Sequence, residues 1–174
     1  AVAAAGSSFK ELSVLQLDAH ADTRESYEGS VFNHACVMAR ARERCPIVQV
    51  GIRSLDSSEV DGLELERVLF AHELVESDSD WMSQVVERLT DEVYLTIDLD
   101  VFDPGVLPAT GTPEPGGLSW QTVNELIHQV SRARRIVGFD VVELLPLPGQ
   151  HASEFLAAKL VYRVLSMILA QPSR

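Results

Sequence analysis

The chain has 174 residues, enough for one domain with a sizeable core, and its 46% hydrophobic and 23% charged residues are typical of a globular protein. Its 26 acids against 14 bases leave a formal charge of −12, which argues against nucleic acid or an anionic membrane as the main partner and is compatible with a cationic substrate or a bound metal. Cys36 and Cys45 lack metal-type spacing and fall on one helical stretch, so no disulfide is expected and a reducing, cytoplasmic setting is the default.

Residues 1–10 read as a loop or the remnant of an upstream element, too short for a signal peptide. Residues 12–17 form an apolar run of strand length. A polar loop with Gly29 follows over 23–33, then a helix over 34–44 that Pro46 closes. Residues 47–50 read as a β-branched strand ended by Gly51, 54–67 as a short acidic helix weakened by Gly62, and 68–71 as another strand. Residues 77–89 carry helical spacing in Met82, Val85, Val86 and Leu89, with Ser77, Asp78 and Ser79 all suited to cap it.

Residues 93–97 are nearly all apolar, as a parallel strand covered on both faces must be. The stretch 101–117 is then a long loop rich in Pro and Gly, and such a loop inside a compact domain is usually functional. Ser119 precedes a helix whose apolar face is Val123, Leu126, Ile127 and Val130. A strand over 135–142 ends at Glu143, and a helix over 152–170 closes the chain. Lys159 and Arg163 mark that last helix as core-packed rather than membrane-spanning. The alternation implies a single α/β domain over 1–174, with a mainly parallel sheet and helices on both faces.

In such sheets ligands bind beyond the carboxyl ends of the strands. Asp18, Asp98 and Glu143 each stand where an apolar strand ends. In an extended segment residues i, i+2 and i+4 face one way, so Asp18, His20 and Asp22 can converge, and Asp98, Asp100 and Asp103 echo them. A lone Asp-x-Asp is more often a cap or turn. Two such segments, one with an imidazole, point to a shared metal site. Carboxylate and imidazole without thiolate suit Mn2+ ahead of Mg2+, Zn2+ or Fe2+. Two divalent ions would neutralise the acids and acidify a bridging water.

The segments Asp18-Ala19-His20-Ala21-Asp22 and Asp98-Leu99-Asp100-Val101-Phe102-Asp103-Pro104 resemble the two hallmark motifs of the ureohydrolases, the arginase and agmatinase family. Pro108-Ala109-Thr110-Gly111-Thr112-Pro113-Glu114-Pro115-Gly116-Gly117 and Gly138-Phe139-Asp140-Val141-Val142-Glu143 continue the likeness in order, and the last two look more like agmatinases than arginases. The resemblance implies an arginase-like three-layer fold and two Mn2+ ions. It makes Asp18 and Asp98 bridging ligands, adds His20 and Asp100 on one ion, and puts Asp22 on the other. By the same likeness Asp22 handles the proton of a hydroxide that attacks the guanidinium carbon. Glu143 pairs with the guanidinium group, Thr112 helps hold the substrate, and His34 shuttles a proton. The implied reaction is agmatine to putrescine and urea, in a cytoplasmic homo-oligomer, a trimer or hexamer.

The family's upstream Gly-Gly-Asp-His motif has no counterpart here, since no His precedes Asp18. The expectation is an N-terminally truncated fold, the C-terminal portion of an otherwise active enzyme, with a weakened metal site and an unpaired sheet edge. Two rival readings are a ureohydrolase acting on aminopropylagmatine, arginine or a guanidino acid, and a non-catalytic fragment with a structural role. A histone-deacetylase-like hydrolase fits less well, because such enzymes use one Zn2+ and other motif residues.

Overall fold

β1 spans Leu12–Leu17, and every one of its residues is buried, as a strand covered on both faces requires. The computed structural model describes residues 1–76 and 80–170. β2 (Ile47–Ile52) is equally buried, and β3 (Val68–Phe70), β4 (Glu92–Asp98) and β5 (Arg135–Val142) complete one sheet. The order is β3-β2-β1-β4-β5 with every pairing parallel. The sheet is therefore wound outward in both directions from β1, and β1 and β4 flank the point where the winding reverses.

Alternation along the strands sorts side chains onto the two faces. Leu15, Leu17, Val48, Val50, Val93, Leu95 and Ile97 join the larger core with residues of α3 (Ala71–Glu76), α4 (Trp81–Arg88), α5 (Trp120–Ala133) and α6 (Ala152–Leu169). On the other face Leu12, Val14, Ile47 and Tyr94 meet Met38 and Ala41 of α2 (Val37–Arg42) and Val2 and Ala5 of α1 (Val2–Ser8). The helices thus cover both faces, as the strand–helix alternation implies. Among the described residues no helix is long and apolar enough to cross a membrane.

Several local expectations change. Residues 1–10, expected as a loop or the remnant of an upstream element, hold a helix, α1: seven residues are too few to be helical by propensity, and packing on β1 and Tyr94 supplies the rest. The helix expected over 34–44 begins as a 3-10 turn, His34–Cys36, with Asn33 accepting from the Ala35 amide, and α2 ends at Arg42. The acidic helix expected over 54–67 is two 3-10 segments, Ser57–Gly62 and Leu65–Arg67. β2 runs through Gly51 to Ile52. Of the caps expected for α4, Ser77, Asp78 and Ser79 lie outside the described residues; Asp80 accepts the Ser83 amide at 3.3 Å. Ser119 caps α5 as expected, accepting the Thr122 amide at 3.0 Å.

The long loop after β4 is pinned at both ends. Leu118 donates to the Val101 carbonyl at 2.9 Å and accepts from the Asp103 amide at 3.1 Å. The Asp103 carboxylate accepts from the amides of Gly105 (2.9 Å), Gly116 (2.9 Å) and Gly117 (3.2 Å). This many donors hold its carboxyl below the usual range. A Cβ at Gly117 would stand 2.5 Å from the backbone of Phe102 and Asp103. Gly117→Ala is therefore expected to cost about 2 kcal/mol through forced displacement of the loop. A melting temperature unchanged from wild type would show that the loop relaxes freely.

Candidate metal centre

The carboxyl end of β1 and the carboxyl end of β4 lie side by side, because their register runs from Leu12↔Glu92 to Leu17↔Ile97. The next residues of the two strands bring Asp18 and Asp98 to the same rim, and a short 3-10 turn, Leu99–Val101, carries Asp100 back under β1. The Asp100 carboxylate accepts the Ala19 amide at 3.0 Å, which ties the two strand exits together. Asp98 accepts the Asp100 amide at 2.9 Å, so one acid caps the turn that presents the other.

Among the described residues, Asp18, His20 and Asp100 form a group whose donor atoms all lie within 4.8 Å of one another. His20 Nδ1 stands 2.9 Å from Asp100 Oδ2 and 3.7 Å from Asp18 Oδ1. Asp22 and Asp98 stand outside that tight group, yet both feel the charge of Asp18 and Asp100.

The electrostatics are those of acids crowded into a buried place. Burial, and then repulsion from Asp18 and Asp100, pushes the Asp98 carboxyl up to about 10. Burial and the charge of Asp18 push Asp22 up to about 8. Burial raises Asp18 to about 6, against the hydrogen bonds from His20 that lower it. For Asp100 burial also favours the neutral form, but hydrogen bonds from His20 and the Ala19 amide outweigh it and hold the carboxyl below its ordinary value. His20 rises to about 10 because Asp100 and Asp18 accept its proton-bearing nitrogen. The cluster therefore favours positive charge in its midst. Hard oxygens with one imidazole and no thiolate fit a divalent cation.

Other expected residues take clear places. Asp22 adopts the left-handed region at φ 55°, uncommon for a non-glycine residue. Its carbonyl accepts the Met38 amide at 2.9 Å, so the start of α2 holds the segment. Arg24 donates from its amide to the Ala35 carbonyl at 3.1 Å, which lays the His34 turn alongside. His34 itself is exposed, edge-on to Tyr27 with ring centroids 5.8 Å apart. Glu143, also exposed, is the other acid of the rim in the left-handed region, at φ 63°. Residue Thr110 bridges to Leu144, and a Cβ on Gly111 would stand 3.4 Å from Glu143 Oε2. The loop bearing the exposed Thr112 is thereby folded against Glu143. His151 is exposed and stands 3.6 Å from Glu154.

Two supporting residues escaped the motif reading. Arg53, just past β2, donates to the carbonyls of Asp100 (2.6 Å), Glu114 (2.7 Å) and Pro115 (3.0 Å), bolting the Asp100 turn to the long loop. Glu59, buried on a 3-10 segment, accepts the Thr23 amide at 2.8 Å and the Thr23 hydroxyl at 3.0 Å, beside Asp22. The only local sign of either was a charge next to an apolar strand or in an acidic stretch. A cavity of about 920 Å³ lies elsewhere, between α5, α6 and β5, and arginines rather than carboxylates line it (Arg132, Arg135 and Arg163 among them). The acidic rim, not the cavity, holds the ligating chemistry.

A profile described as the arginase family matches residues 1–167. The chain belongs to the arginase family. It is 39% identical over 156 residues to an N(1)-aminopropylagmatine ureohydrolase of Synechocystis, covering 87% of this chain and 51% of that protein. It is 40% identical over 162 residues to one of Thermus thermophilus, covering 90% and 54%. The crystal structure of an agmatine ureohydrolase of Thermoplasma volcanium superposes with a TM-score of 0.82 at 34% identity, covering 97% of this chain and 58% of that one. The chain thus spans about half the length of the curated relatives it matches, and the fold is the arginase-like one.

Asp18, Asp22, Asp98 and His20 all bind protons more tightly in the folded state than their ordinary values allow. With ordinary carboxylates at 3.8, the metal-free protein is expected to lose stability steadily as pH rises from about 4 through about 10. Asp100 and Asp103, both lowered, act in the opposite sense only below that window. Melting curves from pH 5 to 8 check this, and excess Mn2+ should flatten the decline by binding the ionised cluster. Asp98→Asn is expected to leave the metal-free melting temperature near wild type at pH 7 and to lower Mn2+ content; full Mn2+ stoichiometry in that variant would remove Asp98 from the metal centre.

Proposed function

We propose that this chain carries the metal centre of a Mn2+-dependent ureohydrolase, which cleaves a linear guanidino compound to urea and an amine. The observation that carries the reading is the Asp18–His20–Asp100 group at the point where the sheet reverses its winding, in a chain of the arginase family. Asp18, His20 and Asp100, with Asp98 and Asp22 beside them, would hold the divalent cations. Bound there, the cations supply a water acidic enough to attack near neutral pH.

The protein groups do the rest. Glu143, an exposed carboxylate beside the 108–117 loop, pairs with the guanidinium and fixes its plane. Thr112 offers its hydroxyl from the same loop. Asp22 takes up the proton of the attacking water. Water adds to the guanidinium carbon, the bond to the alkyl nitrogen breaks, and His34 returns a proton to the departing amine. The proposed enzyme is cytoplasmic and assembles as a trimer or hexamer.

The relatives at 39% and 40% identity are named for N(1)-aminopropylagmatine, which supports reading that polycation ahead of agmatine as substrate. Agmatine is the second reading, favoured by the structural relative's name. The net charge of −12 suits either cation. Urea release by the Mn2+-loaded protein, assayed side by side on N(1)-aminopropylagmatine, agmatine and arginine, decides between them, and no urea from any of the three defeats the reading. Glu143→Gln is expected to raise KM by roughly ten- to hundredfold with Mn2+ retained, the loss of one charged hydrogen bond. Loss of the metal instead would assign Glu143 a different task.

A further inference from the structure

β1 and β2 are apolar strands, yet each buries one glutamine. Gln16 is 1% exposed and Gln49 is 2% exposed. The two are direct cross-strand partners in the β1–β2 register. They stand on the face covered by α1 and α2, beyond the end of its small apolar cluster. A buried amide is costly unless its donors and acceptor are all satisfied, so what these two amides touch is informative.

Gln49 Nε2 donates to Gln16 Oε1 at 2.6 Å and to the Ala21 carbonyl at 2.8 Å. Gln16 Nε2 donates to Asp18 Oδ2 at 2.7 Å and to the His20 carbonyl at 3.2 Å. The chain of donors has one direction. Turning the Gln16 amide over would set its oxygen against Asp18 and its NH2 against the donor of Gln49. Gln49 therefore dictates which end of Gln16 meets Asp18. The other Asp18 oxygen accepts the His20 amide at 2.6 Å, so both oxygens of that carboxylate are held.

The backbone gives a reason for the arrangement. Ladder pairing of β1 with β2 ends at Leu17↔Val50, and β2 turns at Gly51, where φ is 95° and a Cβ would stand 3.0 Å from the Asp18 carbonyl. Beyond that point a His20↔Ser54 bridge, with the Arg53 and Ser54 amides on the Ala19 carbonyl, continues the backbone pairing, and the carbonyls of His20 and Ala21 receive the side-chain amides. Asp18, His20 and Asp22 project from the segment held in this way.

We propose that Gln16 and Gln49 form an amide clamp that positions the Asp18 carboxylate, and with it the whole segment from Asp18 to Asp22, for divalent metal binding. The clamp rests on the metal-centre reading given above. Neither glutamine touches the cation; both are positioning residues, and Gln49 reaches Asp18 only through Gln16.

The test is Mn2+ affinity, measured by calorimetric titration, with the metal-free melting temperature as the check on folding. Gln16→Leu keeps the volume and removes both donors; Mn2+ binding should weaken by about tenfold or more, as when an outer hydrogen-bond partner of a metal ligand is lost, while the variant still melts cooperatively. Gln49→Leu should weaken binding in the same direction. Gln49→Glu should weaken it further, because a carboxylate draws the Gln16 NH2 and turns its oxygen onto Asp18. The Gln16→Leu/Gln49→Leu pair should lose less than the two single losses combined, since the residues act in series. Wild-type Mn2+ affinity in both Gln16→Leu and Gln49→Glu would overturn the clamp and leave the pair a purely structural one. A wild-type protein that binds no Mn2+ would instead overturn the metal-centre reading, and the clamp with it.

Discussion

Mutual repulsion among buried acids is the constraint to which the rest of this structure answers. Asp18, Asp98 and Asp100 are all buried and Asp22 is partly so, at the ends of the two strands that flank the reversal of the sheet. Hydrophobic packing alone would never place them there. Burial and mutual charge push Asp18, Asp22 and Asp98 toward the neutral form, and only Asp100, embraced by His20 and the Ala19 amide, keeps its charge readily. An arrangement that costs stability in isolation and is relieved by a cation is the physical signature of a binding site rather than of a core.

The surroundings are organised to hold that arrangement in place. Arg53 ties the Asp100 turn to the long loop, and Asp103 gathers three glycine amides to close the same loop. Glu59 grips Thr23 on one side of Asp22, and the start of α2 grips the Asp22 carbonyl on the other. Asp22 and Glu143 both sit at positive φ without being glycine. Two strained acids on one rim, each with its segment fixed by neighbours, indicate that geometry here outranks local backbone preference.

Much of this was legible in the amino-acid order, because the informative patterns are local. The apolar runs ending at Asp18 and Asp98 marked strands and their exits, and the two-residue spacing of Asp18, His20 and Asp22 marked a shared face. What lay beyond reach depends on partners far along the chain. Nothing in the local order singles out Gln16 and Gln49; their meaning lies in the β1–β2 register. Glu59 sits 36 residues from Thr23, the residue it holds. The helix α1 exists because β1 and Tyr94 are there to pack against, which no seven-residue window reveals. In the stretch after Asp56, acidic composition suggested an α-helix, while a capping box between Asp56 and Glu59 closes a tighter 3-10 turn.

The pairing of β1 with β4 also acts as a ruler for assembly. Ala19 and Asp100 are 81 residues apart, so the acidic rim comes into being only after a large loop has closed. A slip of one residue between Leu17 and Ile97 would turn either strand's acids to the opposite face. A cation that needs donors from both strands therefore recognises the correctly paired sheet and no other. In thermodynamic terms it is a proofreading ligand for the fold, adding its binding energy to the native register alone.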